Sequence, residues 1–476
     1  MTRMNGKFKK FLKGFLHALS ANIIRLLISI VLTLLLPKLL GVEEYSYWQL
    51  YLFYVTYTAY SSLGFCEGIY LKHGGKEYDE LEPKLIGSQF WALAIYEIVF
   101  CLVGAGCACL FLSGEYKSLI LSLALVSSLF DILRYFLQSV LQATNRIQEY
   151  AKIVTSERML FFGFTIVFLL LGVRDFRVLI AAEIGARIIS MIYAMVVCRD
   201  VVFCKAGYGK AEFGETREII SIGFKLLLAN LASQLIIGVV RFMIEQNWGT
   251  VVFGKVSLTL SLSNMLVTCI SAVSIVLFPV LKNLEKNKLN ELYETMRAVL
   301  TVPILFVLLF FVPMKVILSA WLPQYADSLK YLAILLPICL YETRYYALIN
   351  TYQKAYRKEN EILLVNGISV AVSVLLSLVT VYAWNNLDLA VVAIVILMVF
   401  KSVLSEILLG RYVGVNTFSA NVMESVVVAI FIISSMFFPY HYAILTYLIT
   451  YLIYLWITRK SLKKHVMLAK ELVTKR

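Results

Sequence analysis

Apolar runs of about 17–25 residues recur from one end of this chain to the other, and each is long enough to cross a hydrocarbon core of roughly 30 Å as an α-helix. A backbone in lipid must satisfy its own hydrogen bonds, so runs of this kind leave helices as the fold class. The chain has 476 residues, 60% hydrophobic and 16% charged, whereas soluble domains are about 45–50% apolar and about 25% charged. No soluble domain fits between the runs. The expected class is an all-α integral membrane protein.

About fourteen spans are read, approximately 16–37, 45–71, 85–112, 118–142, 151–171, 178–198, 218–243, 251–281, 296–318, 329–352, 360–383, 388–410, 422–438 and 441–457. With these spans, 29 Lys and Arg fall on the side of the amino terminus and six on the other. The positive-inside rule then places both termini in the cytoplasm. Most of the net charge of +14 is orienting charge on loops beside an anionic leaflet, so nucleic acid is not an expected partner.

The chain also reads as duplicated. Gly41-x-x-x-Tyr45-Ser46-x-Trp48-x-Leu50 returns as Gly249-x-x-x-Phe253-Gly254-x-Val256-x-Leu258. Gly114-Glu115-Tyr116 is echoed by Pro323-Gln324-Tyr325, and Gln142-x-x-x-Arg146 by Gln353-x-x-x-Arg357, all at an offset of about 210 residues. Six helices per copy is an even number, so the copies insert in the same orientation as a parallel repeat about the membrane normal. The expected organisation is a basic segment 1–15, a six-helix bundle 16–198, a connector 199–217, a second bundle 218–410, two extra helices in 411–457 and a basic tail 458–476. Phe8, Phe11, Leu12 and Phe15 recur at helical spacing in the basic segment, which suggests a short interfacial helix or a plain tail.

Leu40-Gly41-x-Glu43-Glu44-Tyr45, the Leu63-Gly64 closing the second span, and the repeated Gly249-x-x-x-Phe253-Gly254 resemble the Wzx-type repeat-unit flippases. These form the polysaccharide-transport branch of the multidrug/oligosaccharidyl-lipid/polysaccharide exporter (MOP) superfamily. Ser46 stands where that pattern has glycine, and Val240-Arg241 where an acid would precede the arginine. The resemblance implies two bundles in a V about a cationic lumen, which faces the pyrophosphate and sugars of a polyprenyl-linked oligosaccharide. It implies a bacterial plasma (inner) membrane location and work beside a polysaccharide polymerase and glycosyltransferases.

A charge at mid-membrane costs at least about 2.5–3.5 kcal/mol, so such residues face a partner or a wet cavity. Asp131 with Arg134, three apart, and Glu183 with Arg187, four apart, can each meet on one helix face. Glu157 and Arg158 are adjacent, and Glu342 and Arg344 two apart, so Arg158 and Arg344 are expected to find partners elsewhere. Arg241 and Lys255, at helix ends, are expected to snorkel to the outer headgroups. Arg25, deep in the first span with no acid within four positions, and its counterpart Lys225 are the expected anion-holding cations. The candidate substrate-binding set is therefore Arg25, Lys225, Arg158, Arg134 and Arg187, with Asp131, Glu157 and Glu183 as coupling or pairing carboxylates.

No cofactor and no metal site is expected. The eight Cys form no CxxC pair, and Cys107-x-Cys109, among Gly104 and Gly106, reads as small-residue helix packing. Gly64-x-x-x-Gly68 with Lys72-x-Gly74-Gly75 lacks the order of a nucleotide loop and reads as packing and a tight turn. The four His show no metal or catalytic spacing, and no connection is long enough for external sugar chemistry, so an enzyme is disfavoured. A lipid II-type flippase or a multidrug/cation antiporter of the same superfamily remain the alternatives.

Overall fold

A computed structural model describes residue 24 and residues 26–474, apart from 113, 115, 205–209, 283–288 and 357; within it the side chains of 210–212, 269–282, 289–291, 465, 466 and 468–474 are not described. The basic segment 1–15 and Arg25 lie outside the described residues, as does Arg357 of the third echo.

The described elements are all helical. They run α1 (Leu26–Leu40), α2 (Val42–Thr58), α3 (Phe65–His73), α4 (Pro83–Phe111), α5 (Lys117–Ala143), α6 (Ile147–Leu170), α7 (Phe176–Val197), the short α8 (Arg199–Val202) and α9 (Lys210–Lys282). There follow α10 (Leu289–Val307), α11 (Phe311–Trp321), α12 (Lys330–Leu335), α13 (Ile338–Arg344), α14 (Asn350–Ala355), α15 (Glu359–Ser377), α16 (Leu387–Val413), α17 (Phe418–Phe437) and α18 (Tyr440–Thr474). Eleven of the described stretches are long and apolar enough to cross a membrane. One of them, Phe213–Thr268, contains a kink at Gly249 and so holds two of the expected spans. Among the described residues, α1 covers the later part of the first expected span and the broken α2–α3 covers the second.

The duplicated motif has a backbone reason. Gly41 has φ 87 and ψ 170 and Gly249 has φ 80 and ψ 175, a region open essentially to glycine alone. Beyond each glycine the chain turns into a new helix, and the paired positions Tyr45 and Phe253, Trp48 and Val256, Leu50 and Leu258 are all buried. Ser46 fits in place of glycine because its hydroxyl turns back to donate to the Val42 carbonyl at 2.6 Å. The copies also share a cap: Asp175 accepts from the Arg177 amide at the start of α7, and Asn386 from the Leu389 amide at the start of α16. Glu44 of the first motif accepts the Phe176 amide at 2.7 Å, and Asn247 donates to Asn385 at 2.8 Å, so in each copy the turn after the first helix is tied to the start of the sixth.

The chain divides into two compact units at Leu231–Ala232, inside α9. In the first, α5 is central and packs on α2, α3, α4, α6 and α7. Its core gathers Phe65, Phe90, Phe136, Leu137 and Ile153. In the second, α16 packs on α12, α13, α15 and α17, and α18 lies on α10 and α17. Leu102, Leu110, Leu170, Ile317, Phe437 and Trp456 are among the many large apolar side chains left exposed, as lipid-facing helices require.

Gly64 and Gly68 do pack, and their partner is a third glycine. A Cβ on Gly68 would meet the Ile219 carbonyl, one on Gly223 the Gly64 carbonyl, and one on Gly64 the Gly223–Phe224 peptide. Lys72 extends this contact of α3 with the start of α9 by reaching Glu218 at 2.8 Å and Glu215 at 3.4 Å. Partial burial works against the Lys72 ammonium, but the two carboxylates outweigh it and hold its pKa above the usual lysine value. Cys107 and Cys109, in contrast, are exposed, so their expected packing role is corrected. Gly106 has open space beside it, and only Gly104, against Leu125, closes a helix contact.

Candidate functional site

The charges singled out in the sequence converge in the first unit on α5, α6 and α7. Their spacing on α5 places Asp131 and Arg134 one turn apart, and they form an ion pair. On α7, Arg187 Nη2 donates to Glu183 Oε1 at 2.8 Å. Helix packing then joins the local pairs, because Arg187 Nη1 lies 3.8 Å from Asp131 Oδ2 and Arg134 Nη1 lies 3.5 Å from Glu157 Oε2. Arg158 Nε lies 3.2 Å from Glu157 Oε2, so the adjacent residues meet after all. Flexible side chains reach around the backbone where their Cβ directions diverge, which corrects the expectation that Arg158 needs a distant partner. Tyr51, from α2, covers the network and donates to Ser127 Oγ at 2.7 Å.

Three carboxylates and three guanidiniums make this cluster neutral. Arg134 and Arg187 are buried and matched, while Arg158 has a side chain 39% exposed. Of the expected cations, Arg134 and Arg187 therefore hold the bundle together, and Arg158 retains an accessible edge. Lys225 is exposed and has no ion-pair partner among the described residues. Arg25 lies outside the described residues.

The second unit contains a counterpart that the sequence reading missed in half its members. Arg297 donates Nη1 and Nη2 to the two oxygens of Glu424 at 2.6 and 2.8 Å, Nε to Glu406 at 2.7 Å and Nη2 to Asn421 at 3.1 Å. Arg344 Nη1 donates to Glu424 Oε2 at 2.5 Å, and its Nη2 lies 3.8 Å from Glu406 Oε2. Tyr293 adds a 2.7 Å hydrogen bond to Glu406. Two arginines balance two glutamates, and Arg344 has no exposed surface. Arg344 thus finds its expected distant partners. Arg297, at the edge of the expected span 296–318 and counted with the loop charges, is inside α10 and buried. Its signal was present in the sequence: an arginine inside an apolar-periodic helix, with Glu424 in the apolar span that would answer it.

Two further cations within apolar helices touch neutral groups, and Lys401 also interacts with the Glu342 carboxylate. Lys401 donates to Ser233 Oγ at 2.8 Å and sits 4.0 Å over the Tyr345 ring. Arg241 donates to Ser257 Oγ at 2.9 Å and lies over the Phe253 ring at 5.0 Å. Arg241 is therefore engaged within the protein by a neighbouring helix. Among the described residues no group of His, Cys, Asp and Glu is placed to hold a metal ion.

An all-α bundle with paired charges inside its apolar helices defines the class as a multi-pass membrane protein. No family model matches the sequence, and no curated protein does. Among solved structures, the fold is similar to the lipid II flippase MurJ in an inward closed conformation, with TM-score 0.67 and 13% identity over 94% of this chain and 99% of that one. It is similar to an inward-facing multidrug resistance MATE family transporter of the MOP superfamily, with TM-score 0.61 and 12% identity over 82% of this chain and 97% of that one. It is also similar to a MOP superfamily transporter from Pyrococcus furiosus described as having a binding pocket of reversed polarity, with TM-score 0.52 and 11% identity over 83% and 95% of the two chains.

Proposed function

We propose that this protein is a transporter that flips a polyprenyl-pyrophosphate-linked oligosaccharide from the cytoplasmic to the outer leaflet, supplying repeat units for a surface polysaccharide. The observation that carries this reading is the extent of the fold likeness. The lipid flippase matches 94% of the chain, while the MATE family transporter quoted above matches 82%. Repeat-built transporters expose a site alternately to each side, and the duplicated helices support that mode here. Both termini are cytoplasmic in this reading, the membrane is the bacterial inner membrane, and a polymerase and glycosyltransferases are the working partners.

The phosphate-holding cations are Arg25 and Lys225, joined by the exposed edge of Arg158. Lys225 and Arg158 support this by their accessibility, whereas Arg134 and Arg187 are consumed by Asp131, Glu157 and Glu183. The same pairing weighs against the second reading, a multidrug/cation antiporter, which wants an unmatched acid facing its substrate. A lipid II-type substrate shares the polyprenyl-pyrophosphate chemistry and differs only in the sugar. Complementation of polysaccharide export, with protein levels measured in parallel, tests the assignment. Arg25→Ala should abolish export with normal expression, Arg25→Lys should retain part of it if positive charge suffices, and Lys225→Ala should lower it severalfold. Wild-type export by normally expressed Arg25→Ala and Lys225→Ala variants would remove both residues from the substrate site.

A further inference from the structure

The second span is broken at mid-course. α2 ends at Thr58, a tight turn covers Ala59–Ser62, and Leu63 (φ 51) and Gly64 (φ 85) are both left-handed before α3 resumes at Phe65. Leucine is a poor occupant of that region, so the surroundings must hold the break in place. Ser61 stands at its centre. Its Oγ is 2.8 Å from the Thr58 carbonyl and 2.9 and 3.1 Å from the two carboxyl oxygens of Glu97 on α4.

Glu97 is fully buried, at 0% exposure, within a membrane-spanning helix. Among the described residues no Lys or Arg lies within ion-pair distance of it, unlike Asp131, Glu157, Glu183, Glu406 and Glu424. The titratable groups facing it are the Cys66 thiol from α3, and Cys101 and Tyr96 from its own helix. Beyond Cys66 lie Glu67 on α3 and Asp131 on α5, which are acids and offer no compensation.

Serine has one proton to donate. If Glu97 is ionised, Ser61 can satisfy it only by turning away from the Thr58 carbonyl at the break. If Glu97 carries a proton, its O–H donates to Ser61 Oγ and Ser61 donates to Thr58, so every group is satisfied. We propose that Glu97 is a proton-binding site whose occupancy sets the break in the second span. One proton passes between the carboxyl group and water, and no other bond changes. A hard metal cation does not fit, because it needs about six oxygen ligands, and among the described residues only Ser61, the Thr58 carbonyl and Glu97 meet here. The break is also mechanically connected: Gly64 lies against the Gly223–Phe224 backbone of α9, so a change at Ser61 is passed to that helix.

The proposal rests on the transport reading only for what the proton drives; occupancy itself is measurable without substrate. Infrared difference spectra of the full-length protein in lipid nanodiscs, titrated between about pH 5 and pH 9, read it directly. The wild type should show a buried carboxylic-acid band that bleaches as pH rises. Glu97→Gln, which keeps the shape and hydrogen bonding of the acid, should remain monodisperse and lack the band. Glu67→Gln should keep it, and Ser61→Ala should keep it at a shifted frequency. A band that persists in Glu97→Gln, that never bleaches, or that is missing from the wild type would overturn the proposal. A failure of export would sink the transport reading and leave this spectrum unaffected.

Discussion

Arg344 has no exposed surface, and it is tolerated in a membrane-spanning helix because Glu424 and Glu406 answer it while Arg297 shares them. Removing one member of a buried ion network leaves its partners charged and unmatched, at a cost of about 3–5 kcal/mol. Glu424→Leu leaves two guanidiniums to share the single Glu406 carboxylate and should lower the thermal unfolding midpoint of the purified protein sharply, with Glu424→Asp intermediate. An unchanged midpoint in Glu424→Leu would show that the network contributes little. At this scale the sequence was legible where partners share a helix. Asp131 with Arg134 and Glu183 with Arg187 follow from their spacing. The joins between helices, Arg134 to Glu157 and Arg297 to Glu424, were not legible, because spacing along a chain carries no information on which helix faces which. Arg297 was further hidden by its position at a span boundary, where a basic residue looks like loop charge.

Glycines decide how the elements meet. The positive φ at Gly41 and Gly249 was readable as a recurring motif, but the reason for it, a turn into a new helix closed to other residues, emerged only with the backbone. Gly64-x-x-x-Gly68 announced a close approach without naming its partner. That partner, Gly223, lies about 155 residues further on and belongs to no local pattern. Adding one methyl group there forces two backbones apart, and overpacking of this kind costs about 1–3 kcal/mol. Gly223→Ala should therefore lower the unfolding midpoint, while Gly106→Ala, with open space beside it, should leave the midpoint unchanged or raise it slightly. Equal effects from the two substitutions would mean that the contact of α3 with α9 is loose.

For the whole molecule, apolar periodicity was enough to read an all-α membrane fold, because a bilayer leaves a chain few alternatives. The last two helices were read as lying outside the repeat, and they are more than an appendage. Asn421 and Glu424 of α17 enter the buried network, and Tyr447 of α18 donates to the Leu305 carbonyl of α10 at 2.8 Å. Nothing in the repeat pattern could show this, since α17 and α18 have no counterpart in the first copy. The transported molecule is the central claim, and it is tested most directly with purified protein in proteoliposomes. These would hold a labelled polyprenyl-pyrophosphate oligosaccharide whose sugar is read by lectin accessibility from outside. The account predicts a time-dependent transfer of the sugar between leaflets that requires the protein and is lost in Arg25→Ala. Leaflet exchange no faster than in empty vesicles, together with proton-driven extrusion of a cationic dye by the same preparation, would contradict it.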